Sequence, residues 1–327
     1  MAALLAAAVL LTGCGGRARA SDPAVPQPAF LKVNGARLSY LDWGGRGMGM
    51  VFIHGLGDSP HAFDQIAPEF RDRFRVIAYA RRGHGRSEVV GPYTHFVLAE
   101  DLRQLLDSLR IRKTILVGWS LGGNELAEFT AAHPDRVAGL VFLECYDLSL
   151  PQARALLGHY PVASSPTAAD LRNPAAFRAW WKSVASPNDP LTPAMEAEIA
   201  DLTAPSPDGS VRVITDDSTT MALYRDAMTY SPPYSRIRVP VLAMWGHSYR
   251  DGIIPRDAPD SLKRRVDAYL RDYGNPFQDA AIAHFRAALP GATIIVLDSA
   301  SHAIFPSQQR DTIIGAMRTF LGTLRAP

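Results

Sequence analysis

The chain has 327 residues, of which 47% are hydrophobic and 20% are charged, a balance that excludes an intrinsically disordered protein. Its formal net charge of +2 comes from 34 basic and 32 acidic residues spread along the chain. This distribution excludes a basic surface for nucleic acid. One globular unit with an insertion fits the length.

The chain begins with an apolar run, MAALLAAAVLLTG, that is shorter than the roughly 20 helical residues needed to span a bilayer. Such a run is typical of a signal-peptide core. Residues 11–15, LTGCG, resemble the lipobox of bacterial lipoproteins, in which cleavage precedes the cysteine and its thiol is lipidated. The resemblance implies a protein of the bacterial cell envelope, anchored to a membrane through Cys14; a secreted or periplasmic protein is the alternative. We therefore expect a signal peptide at residues 1–13 and a flexible tether at residues 14–29.

Beyond this leader, short apolar runs alternate with amphipathic helical stretches. The predicted strands are residues 38–43, 50–53, 75–79, 114–118, 137–143, 241–245 and 293–297. The predicted helices between and after them are residues 63–70, 96–109, 121–132 and 308–324. The alternation indicates an α/β fold with a mostly parallel central sheet covered by helices on both faces.

The alternation stops after residue 145. Residues 146–237 are rich in Pro, Ala and Ser and contain several short helical patterns, which is too much chain for a plain connection. We expect a helical lid at 146–237, inserted into a core formed by residues 30–145 and 238–327. A second long stretch, 250–292, is expected to add a pair of helices.

The strongest chemical signal is Gly118-Trp119-Ser120-Leu121-Gly122, which matches G-x-S-x-G between an apolar strand and an amphipathic helix. Glycines on both sides of a serine permit a tight turn that lifts the hydroxyl off the sheet. The amides of the following helix then point to the place where negative charge develops. The motif predicts Ser120 as a nucleophile and Trp119 as a residue that lines the acyl pocket.

Two further loops follow predicted strands, IHGLGDS at residues 53–59 and YARRGHGRS at residues 79–87. Together with the serine motif they resemble the α/β-hydrolase family, including its serine carboxylesterases, from about residue 38 to the C-terminus apart from the lid. In that family, the amide after the His-Gly pair and the amide after the serine bind the oxyanion of the tetrahedral intermediate. The resemblance implies that these donors are the backbone N–H groups of Leu56 and Leu121.

A serine hydroxyl at its free pKa is a poor nucleophile and needs a base within hydrogen-bond reach. We expect this base directly after the last predicted strand, residues 293–297. Of the nine histidines in the chain, only His302 lies there. His302 is therefore the predicted base.

The acid that orients the base has two principal candidates. Members of the resembled family usually place it beyond the penultimate strand, where Asp251 precedes two aliphatic residues and a proline. The loop from Gly246 to this aspartate is longer than the family's usual spacing, and some relatives, such as the haloalkane dehalogenases, carry the acid where Glu144 stands. Asp251 is the preferred prediction and Glu144 the alternative, with Asp257 and Asp147 behind them.

These residues predict a serine hydrolase that cleaves a small-molecule ester or related acyl bond through an acyl-enzyme, without a metal or organic cofactor. Thioester, lactone or carbon–carbon bond hydrolysis, or perhydrolysis like that of the cofactor-free haloperoxidases, would use the same groups. A non-catalytic binding protein on the same fold is the alternative from another class. Cys145 is expected to be a small buried hydrophobe without a catalytic role.

Overall fold

The computed structural model describes residues 26–162, 165–247, 250–298, 300–302 and 309–324. The predicted signal peptide, Cys14 and most of the predicted tether lie outside the described residues.

Ten β-strands and nine α-helices occur in the described ranges. The strands are β1 (Ala29–Val33), β2 (Ala36–Gly44), β3 (Gly49–Ile53), β4 (Arg75–Tyr79), β5 (Thr114–Trp119), β6 (Val137–Leu143), β7 (Thr203–Pro205), β8 (Val211–Val213), β9 (Val241–Gly246) and β10 (Thr293–Leu297). The helices are α1 (His95–Ser108), α2 (Gly122–Ala132), α3 (Pro151–Gly158), α4 (Pro174–Ala185), α5 (Pro193–Leu202), α6 (Asp217–Ala227), α7 (Asp260–Tyr269), α8 (Asn275–Ala288) and α9 (Arg310–Thr323).

Eight of the strands form one sheet in the order β1-β2-β4-β3-β5-β6-β9-β10. The pairs β1–β2 and β2–β4 are antiparallel, and the remaining neighbours are parallel. The predicted mostly parallel sheet is thus confirmed, with β1 as an additional edge strand. In such a sheet the carboxyl ends of the parallel strands lie along one edge, where ligands of α/β proteins bind.

The central strands are buried on both faces, which explains why they read as continuous apolar runs. In β3, Val51 and Ile53 belong to one apolar core that also contains residues of α1, α2 and α8. Met50 and Phe52 belong to a second core, on the other face, that contains residues of α9. Successive side chains of a strand point to opposite faces, so the helices cover both sides of the sheet.

The segment predicted as a lid forms α3 to α6 and a small antiparallel sheet of β7 and β8. It has an apolar cluster of its own, in which Phe177 packs with Trp180 and Trp181. Helix α5 contacts the core turn Pro60–Phe63, which directly follows the loop at residues 53–59. The insertion is therefore docked beside that loop.

The stretch between β9 and β10 contains α7 and α8, joined by the π-helical turn Leu270–Gly274. This agrees with the helical pair expected there from the sequence.

Within the described ranges, none of the helices is both long and apolar enough to cross a membrane.

Candidate active site

Ser120 lies between β5 and α2 in a strained backbone conformation. Its φ of +52° is a left-handed value that costs a residue with a side chain roughly 1–2 kcal/mol. The flanking glycines serve close approach, since a Cβ on Gly118 would lie 2.3 Å from Leu126 Cδ2 and one on Gly122 2.3 Å from Ile53 O. The expected tight turn is present, but its strain falls on the serine rather than on the glycines.

His302 follows β10 and reaches Ser120 at the carboxyl edge of the sheet. Its Nε2 atom lies 3.0 Å from Ser120 Oγ, and its Nδ1 atom lies 3.1 Å from Glu144 Oε2. Because an ionised carboxylate can only accept a hydrogen bond, Nδ1 carries the proton and Nε2 is left to accept from the serine hydroxyl. The imidazole side chain is 50% exposed, so a substrate can reach it.

Trp119, the predicted pocket residue, lies beside His302. Its indole N–H donates to the backbone carbonyl of His302 at 3.0 Å, and the two rings lie 5.6 Å apart. Only 7% of the residue is exposed. The indole therefore holds the histidine backbone, and the role of Trp119 in an acyl pocket stays a prediction.

Glu144 is brought to His302 by the pairing of two neighbouring strands. The register of β5 and β6 sets Trp119 opposite Leu143, and the Ser120 N–H donates to the Leu143 carbonyl at 3.0 Å. Glu144, the next residue, has a φ of +54°. Ser120 and Glu144 thus follow adjacent strands, and each has a left-handed backbone conformation. Strain of this kind often marks functional sites.

The Glu144 carboxylate is 1% exposed and has a donor on each oxygen. The Gly246 N–H donates to Oε1, and the Tyr146 hydroxyl donates to Oε2 at 3.0 Å. Gln278 of α8 donates to the Tyr146 hydroxyl at 2.9 Å and to the Gly246 carbonyl at 3.0 Å. Burial raises the pKa of Glu144, whereas His302 and the other donors lower it. Sequence reasoning missed Tyr146 and Gln278, since no local motif marks either.

Asp251, the preferred acid in the sequence interpretation, does not hold His302. It lies in the short helical turn Arg250–Gly252, and its carboxylate pairs with Arg250 Nε at 3.5 Å and Arg256 Nε at 3.3 Å. This turn follows β9, whereas β6 lies directly beside β5 in the sheet. The preference for Asp251 is corrected: the alternative, Glu144, is the carboxylate on the imidazole.

The Leu56 and Leu121 amides lie on loops that meet at Ser120. A Cβ on Gly55 would lie 3.3 Å from Ser120 Cβ, which places the first loop against the nucleophile. Leu121 is the N-cap residue of α2. Neither amide donates a hydrogen bond to another residue in the described ranges. Their role as oxyanion donors stays a prediction.

Asp58 is a further acidic residue at this site, and the sequence interpretation gave it no role. The same Cβ on Gly55 would lie 2.6 Å from Asp58 Oδ2. Burial raises the pKa of Asp58 to about 7, against the opposing charges of His302 and Arg81. The carboxyl group therefore changes its charge close to neutral pH.

No group of three or more His, Cys, Asp or Glu side chains in the described ranges is arranged to hold a metal ion. Cys145 is 1% exposed, and its thiol contacts the Gly118 carbonyl at 3.1 Å. Burial raises the pKa of this thiol. A protonated, buried thiol is a packing group, as the sequence predicted.

An eight-stranded, mostly parallel sheet with a serine, an imidazole and a buried carboxylate at its carboxyl edge defines an α/β protein of the hydrolase class. Residues 50–285 match the family model described as alpha/beta hydrolase fold. The chain belongs to this family.

The chain matches known proteins over part of its sequence and over most of its structure. The non-heme chloroperoxidase CPO-A1 of Kitasatospora aureofaciens is 40% identical over 108 residues, which cover 32% of this chain and 39% of the relative. The bifunctional esterase/perhydrolase DCH of Acinetobacter calcoaceticus is 35% identical over 116 residues, covering 34% and 41%. The chain thus spans less than half the length of these curated relatives.

Among solved structures, E-2-(acetamidomethylene)succinate hydrolase superposes with a TM-score of 0.68 at 20% identity. The superposition covers 91% of this chain and 99% of that one. It shows a common fold.

Proposed function

We propose that this protein is a serine hydrolase that cleaves a carboxylic ester, or a related acyl bond, through an acyl-enzyme. The observation that carries the proposal is the hydrogen-bonded chain from Ser120 Oγ through His302 to the buried Glu144. A nucleophile, a base within reach and a group that orients the base are the parts that such chemistry requires.

The reaction begins when Ser120 Oγ attacks the acyl carbon and His302 Nε2 takes the hydroxyl proton. The negative charge that forms on the carbonyl oxygen is stabilised by the Leu56 and Leu121 N–H groups, which need no reorganisation at that moment. Glu144 stabilises the imidazolium from its other side. His302 then protonates the departing alcohol, and water, activated by the same base, releases the acid and restores Ser120.

The test is hydrolysis of a chain-length series of p-nitrophenyl esters, with thioester, lactone and carbon–carbon bond substrates in parallel. We expect wild-type turnover of at least one ester and its loss in Ser120→Ala. Ser183→Ala is the matched control, because this hydroxyl lies on the exposed part of α4 and only bonds the Trp180 carbonyl. If the protein turns over another of these substrate classes but no ester, that class replaces the ester as the proposed substrate.

Labelling by a fluorophosphonate separates an enzyme from a binding protein on the same fold. An activated Ser120 should be labelled covalently in the wild type and not in Ser120→Ala. A wild-type protein that neither labels nor hydrolyses any substrate of the panel would favour the binding protein.

Perhydrolysis is a second candidate, favoured by the names of the relatives, a chloroperoxidase and an esterase/perhydrolase. Hydrogen peroxide would replace water, attack the acyl carbon on Ser120, and leave as a percarboxylic acid while the serine hydroxyl is restored. The assay is bromination of monochlorodimedone in the presence of peroxide, bromide and a short carboxylic acid. Activity that survives Ser120→Ala would exclude this route.

We further propose that the protein is anchored to the bacterial cell envelope by a lipid on Cys14. The support is the apolar run that ends in LTGCG at residues 11–15, and several acyl chains would give stable anchoring. Mass spectrometry of the mature N-terminus should find a lipidated Cys14, and Cys14→Ser should release the protein from membranes. An unmodified N-terminus, or one downstream of Cys14, would exclude the anchor.

A further inference from the structure

Arg81 is a fully buried arginine directly beneath the loop that carries the Leu56 amide. It follows β4 and is 0% exposed. Its Nη1 atom donates to the Gly55 carbonyl at 2.8 Å, and its Nη2 atom donates to the His54 carbonyl at 2.5 Å. Two parallel bonds from one planar guanidinium fix direction as well as distance.

The bonds to Arg81 also set the direction of the Leu56 N–H, because this group lies in the same peptide plane as the Gly55 carbonyl. A trans peptide is planar, so its C=O and N–H point to opposite sides. The Gly55 carbonyl points down to Arg81 Nη1 and also accepts from His54 Nδ1 at 2.7 Å. The Leu56 N–H of the same plane must therefore point away from Arg81.

Arg81 also reaches the helix that follows the nucleophile. Its Nε atom donates to Oε2 of Glu125 on α2 at 3.3 Å, and this glutamate is likewise 0% exposed. The N-terminus of α2 packs on the same loop, since a Cβ on Gly122 would lie 3.1 Å from the His54 carbonyl oxygen. One side chain thus connects the loop of Leu56 with the helix that begins after Leu121.

We propose that Arg81 is the positioning residue of the oxyanion site: it orients the Gly55–Leu56 peptide and fixes the Leu56 amide relative to the Leu121 amide. This inference rests on the proposed acyl-transfer function. Within the described residues, Arg81 forms no hydrogen bond with Ser120 or His302. Its effect is exerted through the backbone of the loop.

The test compares Arg81→Met and Arg81→Lys with Arg82→Met. Arg82 is a matched control, because it is 3% exposed and its guanidinium bonds Asp101 at 2.7 Å, away from the loop at residues 54–56. Losing one oxyanion donor lowers kcat by about 10²–10³-fold, and we expect a fall of this order in Arg81→Met with an unchanged KM. Arg81→Lys keeps the charge and one donor nitrogen in place of the three of the guanidinium. Its kcat should therefore lie between those of Arg81→Met and the wild type.

The rate of fluorophosphonate labelling supplies a readout that does not depend on the natural substrate, since the phosphoryl oxygen would occupy the same site. It should fall with kcat in the Arg81 variants and stay at the wild-type rate in Arg82→Met. Equal kcat values in Arg81→Met and Arg82→Met, measured on folded protein, would overturn the role of Arg81 while the wild-type turnover still supports the hydrolase. Absence of both turnover and labelling in the wild type would instead overturn the proposed function.

A crystal structure of the wild type with an alkyl boronic acid on Ser120 tests the proposal without any Arg81 variant that must fold. We expect a boronate oxygen within hydrogen-bond distance of Leu56 N while the Gly55 carbonyl stays on Arg81. A boronate oxygen bound elsewhere, or a Gly55 carbonyl turned away from Arg81, would overturn it.

Discussion

Glu144 and Asp251 are both carboxylates near the ends of strands, and their surroundings set them apart. Glu144 is 1% exposed and contacts the imidazole, whereas Asp251 is 28% exposed and lies between two arginines. Charge interactions are much stronger where water is excluded. A buried carboxylate in contact with His302 can therefore stabilise an imidazolium far better than a solvated one that already has cationic partners.

Glu144→Gln should abolish most of the activity, and Asp251→Asn should leave it unchanged. The amide of the variant can present its NH2 group to His302 Nδ1, which favours the tautomer with the proton on Nε2. That tautomer cannot take the Ser120 proton, and in a comparable triad an amide in this place costs about 10⁴-fold in kcat. The measurement is kcat/KM on the best p-nitrophenyl ester. A larger loss in Asp251→Asn would return the acid role to Asp251.

Asp58 should make the stability of the fold depend on pH. Its pKa is about 7 in the folded state, and an unfolded Asp titrates near 3.9. Between about pH 4 and 7 the unfolded chain loses this proton and the folded chain keeps it. The contribution of Asp58 to the free energy of unfolding is therefore largest below about pH 4 and falls as the pH rises to about 7. Asp58→Asn lacks the titration, so its stability relative to the wild type should increase from pH 4 to 7.

Urea unfolding of both proteins at several pH values measures this difference. It should level off above pH 7, where Asp58 is ionised in both states. A difference that does not change with pH would show that Asp58 titrates alike in the folded and unfolded protein.

At the scale of the elements, the sequence predicts seven of the eight strands of the main sheet and misses the edge strand β1. The bounds predicted for β4 and β6 are those of the structure, because strands covered on both faces need continuous apolar runs. The bounds predicted for β10 also match, although this strand lies at the other edge of the sheet and only Leu297 in it is buried. In β1 only Val33 is buried, and its one partner in the sheet is β2. Its signal is the turn that follows, since Asn34-Gly35 joins β1 to β2 with a positive φ at both residues, and Asn-Gly is a strong hairpin signal that the sequence interpretation did not use.

Gly122→Ala should destabilise the junction of β5 and α2. The new Cβ would lie 2.3 Å from Ile53 O, and a backbone oxygen inside the sheet cannot yield as a side chain can. Overpacking of this kind costs typically about 1–3 kcal/mol. Urea unfolding should show that loss, and kcat should fall as well because Ser120 is two residues away.

Gly315→Ala in α9 is the control for helix propensity. Nothing lies within 4 Å of a Cβ at Gly315, and alanine in a helix interior is favoured over glycine by roughly 0.5–1 kcal/mol. We expect this variant to be more stable than the wild type. If Gly122→Ala also gained stability, the close approach of α2 to β3 would be wrong.

At the scale of the whole molecule, the site is assembled from four neighbouring strands. Ser120 follows β5, Glu144 follows β6, Gly246 ends β9 and His302 follows β10, and these strands are consecutive in the sheet. Local motifs identify the serine and the histidine because each has a characteristic place along the chain. The acid depends on which strand lies beside β5, and that order is a property of the topology rather than of the spacing.

Residues 146–237, the insertion, are docked on the core through a buried polar contact. Glu198 of α5 is 3% exposed and accepts from the Ser59 N–H at 2.7 Å and the Ser59 hydroxyl at 2.6 Å. Ser59 directly follows Asp58, so the insertion is attached next to the site. Removing the acceptor would leave buried donors without a partner, which costs about 1–3 kcal/mol each.

Glu198→Ala should therefore loosen α5 and expose residues 146–237 to proteolysis. Arg178→Ala is the control, because Arg178 and Glu196 form an exposed ion pair within the insertion, and such pairs contribute only about 0.2–1 kcal/mol. Limited digestion with thermolysin, followed by mass spectrometry of the fragments, should show faster cleavage inside the insertion in Glu198→Ala and the wild-type rate in Arg178→Ala. If Glu198→Ala is cleaved no faster than the wild type, the insertion is held by its apolar contacts, and the polar contact at Ser59 serves the neighbouring loop alone.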